Sequence, residues 1–127
     1  MELQDEIKDK RKKNWIEVFF AIEALGVNKE IVESSLKTHI DKLSQTKDVF
    51  LYEKKFKEAI RVEKPFKNVD EAFSQVVNVK LFVKDFYTLV MIIMVYGPSS
   101  IEVLGPKDKE LKIDEMQNIA NTLAGVI

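Results

Sequence analysis

Cysteine is absent and histidine occurs once, as His39. The first absence excludes disulfides and thiolate chemistry. Together they leave zinc only an all-carboxylate shell, which is a poor zinc site. Glycine is sparse, and all four glycines stand singly. No G-x-G-x-x-G, Walker A sequence or nucleophile elbow is present. Neither sign of charge prevails: the net charge is −1, so no global field draws the protein to nucleic acid or to a membrane. The longest apolar run, Phe86 to Tyr96, falls well short of the roughly 20 residues that a bilayer-spanning helix needs. Met1 to Lys13 is charged where a signal peptide would be apolar. A cytoplasmic protein without membrane contact is the simplest expectation, and neither metal nor cofactor is expected.

What is present suits a core. Apolar residues make up 46% of 127, enough to fill a single domain of this length. We expect a polar, solvated lead-in over 1–13, either helical or frayed, and one α+β domain over 14–127. Lys, Glu and Ile richness fits either a thermophile or an AT-rich genome.

From Trp15 to Leu25, alternation groups Ile16, Val18, Phe20, Ile22 and Ala24, whereas helical spacing groups Trp15, Val18, Ile22 and Leu25. Strand-forming Ile, Val and Phe, with Gly26 before a clean helix start, favour a strand. Asn28 is placed to cap a helix running to about Ser44, whose stripe is Val32, Leu36, Ile40 and Leu43. Val49 to Val62 reads as one long strand, bulged near Glu53–Lys55 and ended by Lys64-Pro65. A connection follows over 66–72. Ser74 to Val83 alternates most clearly. Asp85 then caps the helix over Phe86–Tyr96, and Gly97-Pro98 stops it. A short strand over Ile101–Leu104 and a last helix from Asp114 complete the chain. The stripe of that helix is expected to be Ile113, Met116, Ile119 or Ala120, Leu123 and Ile127. The apolar end, Val126-Ile127, breaks off in mid-pattern, and we expect the native chain to continue.

The order β-α-β-β-α-β predicts a ferredoxin-like two-layer sandwich with an additional C-terminal helix. Both crossover helices would cover one face of an antiparallel sheet, with strands 15–25 and 74–83 central. The helix over 86–96 is apolar all round, so it must be covered on more than one side. The C-terminal helix or a dimer partner would supply the second cover.

Three stretches, FAIEALG, YGPSSIEVLGP and KIDEMQNIANTLAGVI, resemble small conserved archaeal proteins of uncharacterised function. The resemblance runs over roughly 15–127 in layout and is motif-like over 96–106. It implies the fold and an archaeal source, and it brings no catalytic residues.

Few residues suggest chemistry. His39 has no visible partner for general-base work. The pairs Asp70-Glu71, Asp108/Glu110 and Asp114-Glu115 fit solvated faces, or a helix N-terminus, better than a metal site. Lys54, Lys55, Lys57 and Arg61 are interleaved with Tyr52 and Phe56, a pattern suited to phosphate contact with base stacking. It equally suits a charged edge that discourages aggregation. Phe19 and Phe82 alternate onto the outer sheet face, where an aromatic needs a cover. Glu17 and Glu23 on that face argue against RNA there.

Three function classes result. One is a non-enzymatic interaction module or homodimer, with Phe19, Phe82, Met91, Met94, Met116 and Leu123 as candidate interface. The second is an RNA- or ribosome-associated protein using Lys54, Lys55, Lys57 and Arg61. The third is a small-ligand-sensing dimer, with backbone N–H groups of Gly97–Ser100 holding an anion.

Overall fold

The computed structural model describes residues 2–125, with the backbone alone over 64–66. Its elements are α1 (Leu3–Lys12), β1 (Ile16–Gly26), α2 (Lys29–Ser44), β2 (Val49–Phe56), β3 (Ile60–Phe66), β4 (Val69–Val83), α3 (Phe86–Tyr96), β5 (Ser100–Gly105) and α4 (Ile113–Leu123). The chain is α+β. Its five strands form one antiparallel sheet in the order β2-β4-β1-β5, with β3 paired to β4.

Alternation decides how the sheet is buried. Ile16, Val18, Phe20 and Ile22 of β1 meet Val77, Val79, Leu81 and Val83 of β4 on one face. Leu36, Ile40 and Leu43 of α2, and Leu89 and Ile92 of α3, close over them. Each fully buried side chain of this kind contributes about 1.5–3 kcal/mol, so this layer is the main store of stability. Local signals agree with it. The Asn28 side chain accepts from the Ile31 N–H at 3.0 Å, and Asp85 accepts from the Thr88 N–H at 2.8 Å. Gly97 ends α3 in the left-handed region, at φ 56°, where a Cβ would be strained.

The strand expected over Val49–Val62 is two strands. Ser74 pairs with Leu25 of β1 and with Ile60 of β3, while Val77 pairs with Ile22 and Phe56. β2 and β3 therefore lie end to end along the same side of β4. At the step between them, the Gln75 side chain donates to the Lys57 carbonyl at 3.0 Å. Pro65 does not end β3, which continues to Phe66; an edge strand tolerates a proline. The expected connection over 66–72 shrinks to Lys67-Asn68, because Phe66 already pairs with Val69.

Two further expectations are corrected. The lead-in, helical as α1, is not wholly solvated, since Ile7 is only 5% exposed. Helix α4 turns Ile119 and Thr122 inward, leaving Ile113, Met116 and Leu123 exposed. Val126 and Ile127 lie outside the described residues.

Candidate functional site: the β5 edge and its groove

The sheet has two unlike edges. Along β2 and β3, Lys54, Lys55, Lys57 and Arg61 are all exposed. Charged side chains of this kind blunt an edge against unwanted pairing. At the other end of the sheet, β5 carries one charge, Glu102, and no proline. Ile101, Val103 and Leu104 are 43%, 58% and 43% exposed. Ile101 and Val103 pair with Phe20 and Val18. They therefore share the helix-covered face of the sheet, yet the helices leave them bare.

Where β5 ends, a bulge opposite Glu17 and Val18 shifts the register. The chain then turns at Pro106, and Lys109 fastens the turn by donating to the Asn14 carbonyl at 2.5 Å and the Lys84 carbonyl at 3.3 Å. Between this turn and the start of α3 lies a groove of about 190 Å³, lined by Phe86, Leu89, Val103, Pro106 and Leu111 among others. Its walls are almost wholly apolar, and Phe86 is 41% exposed beside it.

Helix α3 is covered from two sides, as its composition requires. Leu89 and Ile92 face the sheet core, and α4 packs along the helix. At its start, Glu115 of α4 accepts from the Tyr87 N–H at 3.0 Å. At its end, the Tyr96 carbonyl meets His39 Nε2 at 3.0 Å, and the Tyr96 hydroxyl meets Thr46 at 2.9 Å. His39 thereby ties α2 to α3. Met94 and Val95 remain 54% and 63% exposed, while Met91 is half-buried.

The outer face of the sheet differs from expectation. Phe82 points to that face but is fully buried, and is not open to a partner. The Tyr52 and Phe50 rings lie 5.2 and 6.4 Å from it, with the Arg11 guanidinium 6.0 Å away. Arg11 comes from α1, which packs on this face. Two of its N–H groups donate to the two Glu17 oxygens, each at 3.1 Å, a bidentate geometry that favours ion pairing. Tyr52, the extra residue of a bulge in β2, donates to Glu17 at 2.5 Å. Burial opposes the Glu17 charge, but the hydrogen bonds from Arg11 and Tyr52 outweigh it and hold the carboxyl below its ordinary range. Burial, reinforced by Glu17, pushes the Tyr52 phenol up. Phe19 is half-buried between Lys80 and Glu102 of the neighbouring strands. Alternation alone placed Glu17 on this face; nothing local in sequence marks Arg11 or Tyr52 as its partners.

The basic residues do not form one surface. Lys54 pairs with Val79 on the helix-covered face, and Lys55 with Asn78 on the other. Lys54 lies 4.0 Å from Asp41, and Arg61 lies 2.6 Å from Glu71. At the Gly97–Ser100 turn, the Ser99 N–H and hydroxyl both donate to the Ala21 carbonyl, at 2.8 and 3.0 Å. Both Ser99 donors are engaged by β1 rather than open to an anion.

No described helix is long and apolar enough to cross a membrane. No curated protein matches the chain. The model of the MJ0538 family matches residues 17–127, from the second residue of β1 through the bare edge to the end of the chain, and the protein belongs to that family.

Proposed function

We propose that this protein is a non-enzymatic protein–protein interaction or assembly module, working in the cytoplasm, and that it docks through β5. The observation that carries this is the contrast between the edges. One is guarded by exposed cations, while the other presents Ile101, Val103 and Leu104 beside an apolar groove. An unguarded apolar edge is a template for another strand, and adding a strand there is a common way for protein partners to bind.

We place this edge on a ferredoxin-like sandwich. With β2 and β3 taken as one interrupted strand, the chain runs β-α-β-β-α-β, and its first and third strands are central. α1 and α4 are then additions, one to each face. An archaeal source belongs to the same proposal, on the resemblance of the YGPSSIEVLGP run.

A tagged pull-down from the native host, with and without RNase, tests the docking. Specific protein partners that survive RNase and are lost with Ile101→Lys support the module. Lys55 and Lys57 are exposed, with no carboxylate in ion-pair range among the described residues. They favour a second reading, nucleic-acid contact. Recovery of RNA that falls with salt, and that Lys55→Glu with Lys57→Glu removes, would put that reading first.

A further inference from the structure

We propose that the groove between the Pro106 turn and the start of α3 binds a small amphipath, with an apolar tail of about eight carbons and a carboxylate head held by Lys109. Such a ligand occupies the groove whether or not β5 docks a partner.

Ligand sites are mostly apolar hollows with a few placed polar groups. This groove has that make-up. Its walls include Ile16, Phe86, Leu89, Val103 and Leu111, and Lys109 is the one charged residue that lines it. The Lys109 Nζ donates to the carbonyls of Asn14 and Lys84. Each of these stands two residues before a wall residue, Ile16 and Phe86. The ammonium therefore sits at the end of the groove where β1 and α3 begin.

That charge is unbalanced. Among the described residues no carboxylate lies in ion-pair range of Lys109. Its chain neighbours Asp108 and Glu110 are exposed, and Asp85, beside Lys84, is turned to Thr88. Two neutral carbonyls solvate the ammonium without neutralising it, and the apolar wall beside it takes hydration away. An anionic head supplies the missing charge.

The site limits both parts of the ligand. An ammonium has three N–H donors, and two of them are spent on Asn14 and Lys84. A single donor with a single charge suits a carboxylate, whereas a phosphate is held by several charge-assisted bonds. As for the tail, an apolar cavity of about 150 Å³ stays dry and takes the six carbons of benzene. At the same packing, the groove of about 190 Å³ takes about eight.

Octanoate is the probe, added to protein labelled at its Ile, Leu, Val and Met methyls. The methyl signals of Leu89, Val103 and Leu111 should shift and saturate, with a Kd on the order of 1 mM, as expected of a ligand of about ten non-hydrogen atoms. Octylammonium has the same tail and the opposite charge, and should bind at least about tenfold more weakly. Octyl phosphate should bind no more tightly than octanoate. Lys109→Met keeps the stem without the ammonium. It should weaken octanoate about tenfold and leave 1-octanol within about twofold. The head-group series on the wild type reads the same point even if Lys109→Met loosens the turn. The proposal is overturned if octanoate moves none of the three groove residues up to about 10 mM, ten times that Kd. Equal binding of octanoate and octylammonium also overturns it, as does tighter binding of octyl phosphate. So do shifts that fall as strongly on the exposed Met94, Met116 and Leu123, which would mean unspecific partition onto apolar surface.

Discussion

Tyr52 donates to Glu17 at 2.5 Å, on the same carboxylate that Arg11 holds with two N–H groups. One anion thus joins α1, β1 and β2 on the face of the sheet away from α2 and α3.

The acid limb of stability should carry its signature. Glu17 titrates below its ordinary value of 4.5 because Arg11 and Tyr52 outweigh burial. A carboxyl depressed in the folded state stabilises fully above the unfolded value. That contribution is lost as pH falls through the folded value. Urea melts should therefore weaken below about pH 4.5, and Glu17→Gln should flatten that fall. At pH 7 the variant should lose about 1–3 kcal/mol, toward the lower end because Arg11 is largely exposed.

The Tyr52 phenol, raised by burial and by Glu17, should stay protonated well past pH 10. Its stabilising contribution is complete below the ordinary tyrosine value and falls above it. A spectrophotometric titration of wild type minus Tyr52→Phe should show no phenolate step near pH 10 while the protein is folded. A normal step there would mean that the phenol is free.

Helix α3 should be asymmetric under truncation. Ile92, 2% exposed, should cost about 2–5 kcal/mol as Ile92→Ala. Met94, 54% exposed, should cost less than about 0.5 kcal/mol as Met94→Ala. Equal losses in chemical denaturation would mean that α3 is buried all round in the monomer.

The ends of α3 should be sensitive for different reasons. Asp85→Ala removes the acceptor for the Thr88 N–H and hydroxyl and should cost about 1–2 kcal/mol. Gly97→Ala meets no steric obstacle but must adopt φ 56°, at about 1–2 kcal/mol. Asp85→Asn, which keeps an acceptor, should recover most of the first loss.

The elements legible in the sequence were those with a strong local signal. α2 announces itself by its stripe Val32–Leu43 and its Asn28 cap, and α3 by its Asp85 cap and Gly97 stop; β1, whose spacing fits strand and helix alike, is legible from its strand-forming Ile, Val and Phe, and its buried face is the alternating set Ile16–Ile22. Long-range facts were not legible. The break after Phe56 depends on Gln75 reaching Lys57 from another strand. The cover over Phe82 depends on α1, a helix of mostly charged residues in which Ile7 alone is buried. Helix α4 misled by its composition: its most apolar stripe includes Met116 and Leu123, yet packing against α3 selected Ile119 and Thr122. The β5 edge was readable as a strand, but that Ile101, Val103 and Leu104 stay exposed on it among the described residues, with Glu102 its one charge, emerges only from its place at the end of the sheet.

The length of β4 also bears on how the protein is made. β1, β2 and β3 pair with β4 and not with one another. Ile16 must wait for Val83, and Val49 for the same residue. As the chain leaves the ribosome, its first three strands have no ladder to join until β4 follows them. Loop closure over such separations is slow. Until then α2, which can form from local contacts, is the chief ordered part of a nascent chain whose Ile, Val and Phe side chains lie open. β4 is thus the point at which synthesis and folding meet, and a translational pause just before it would prolong the most aggregation-prone stage of this chain's life.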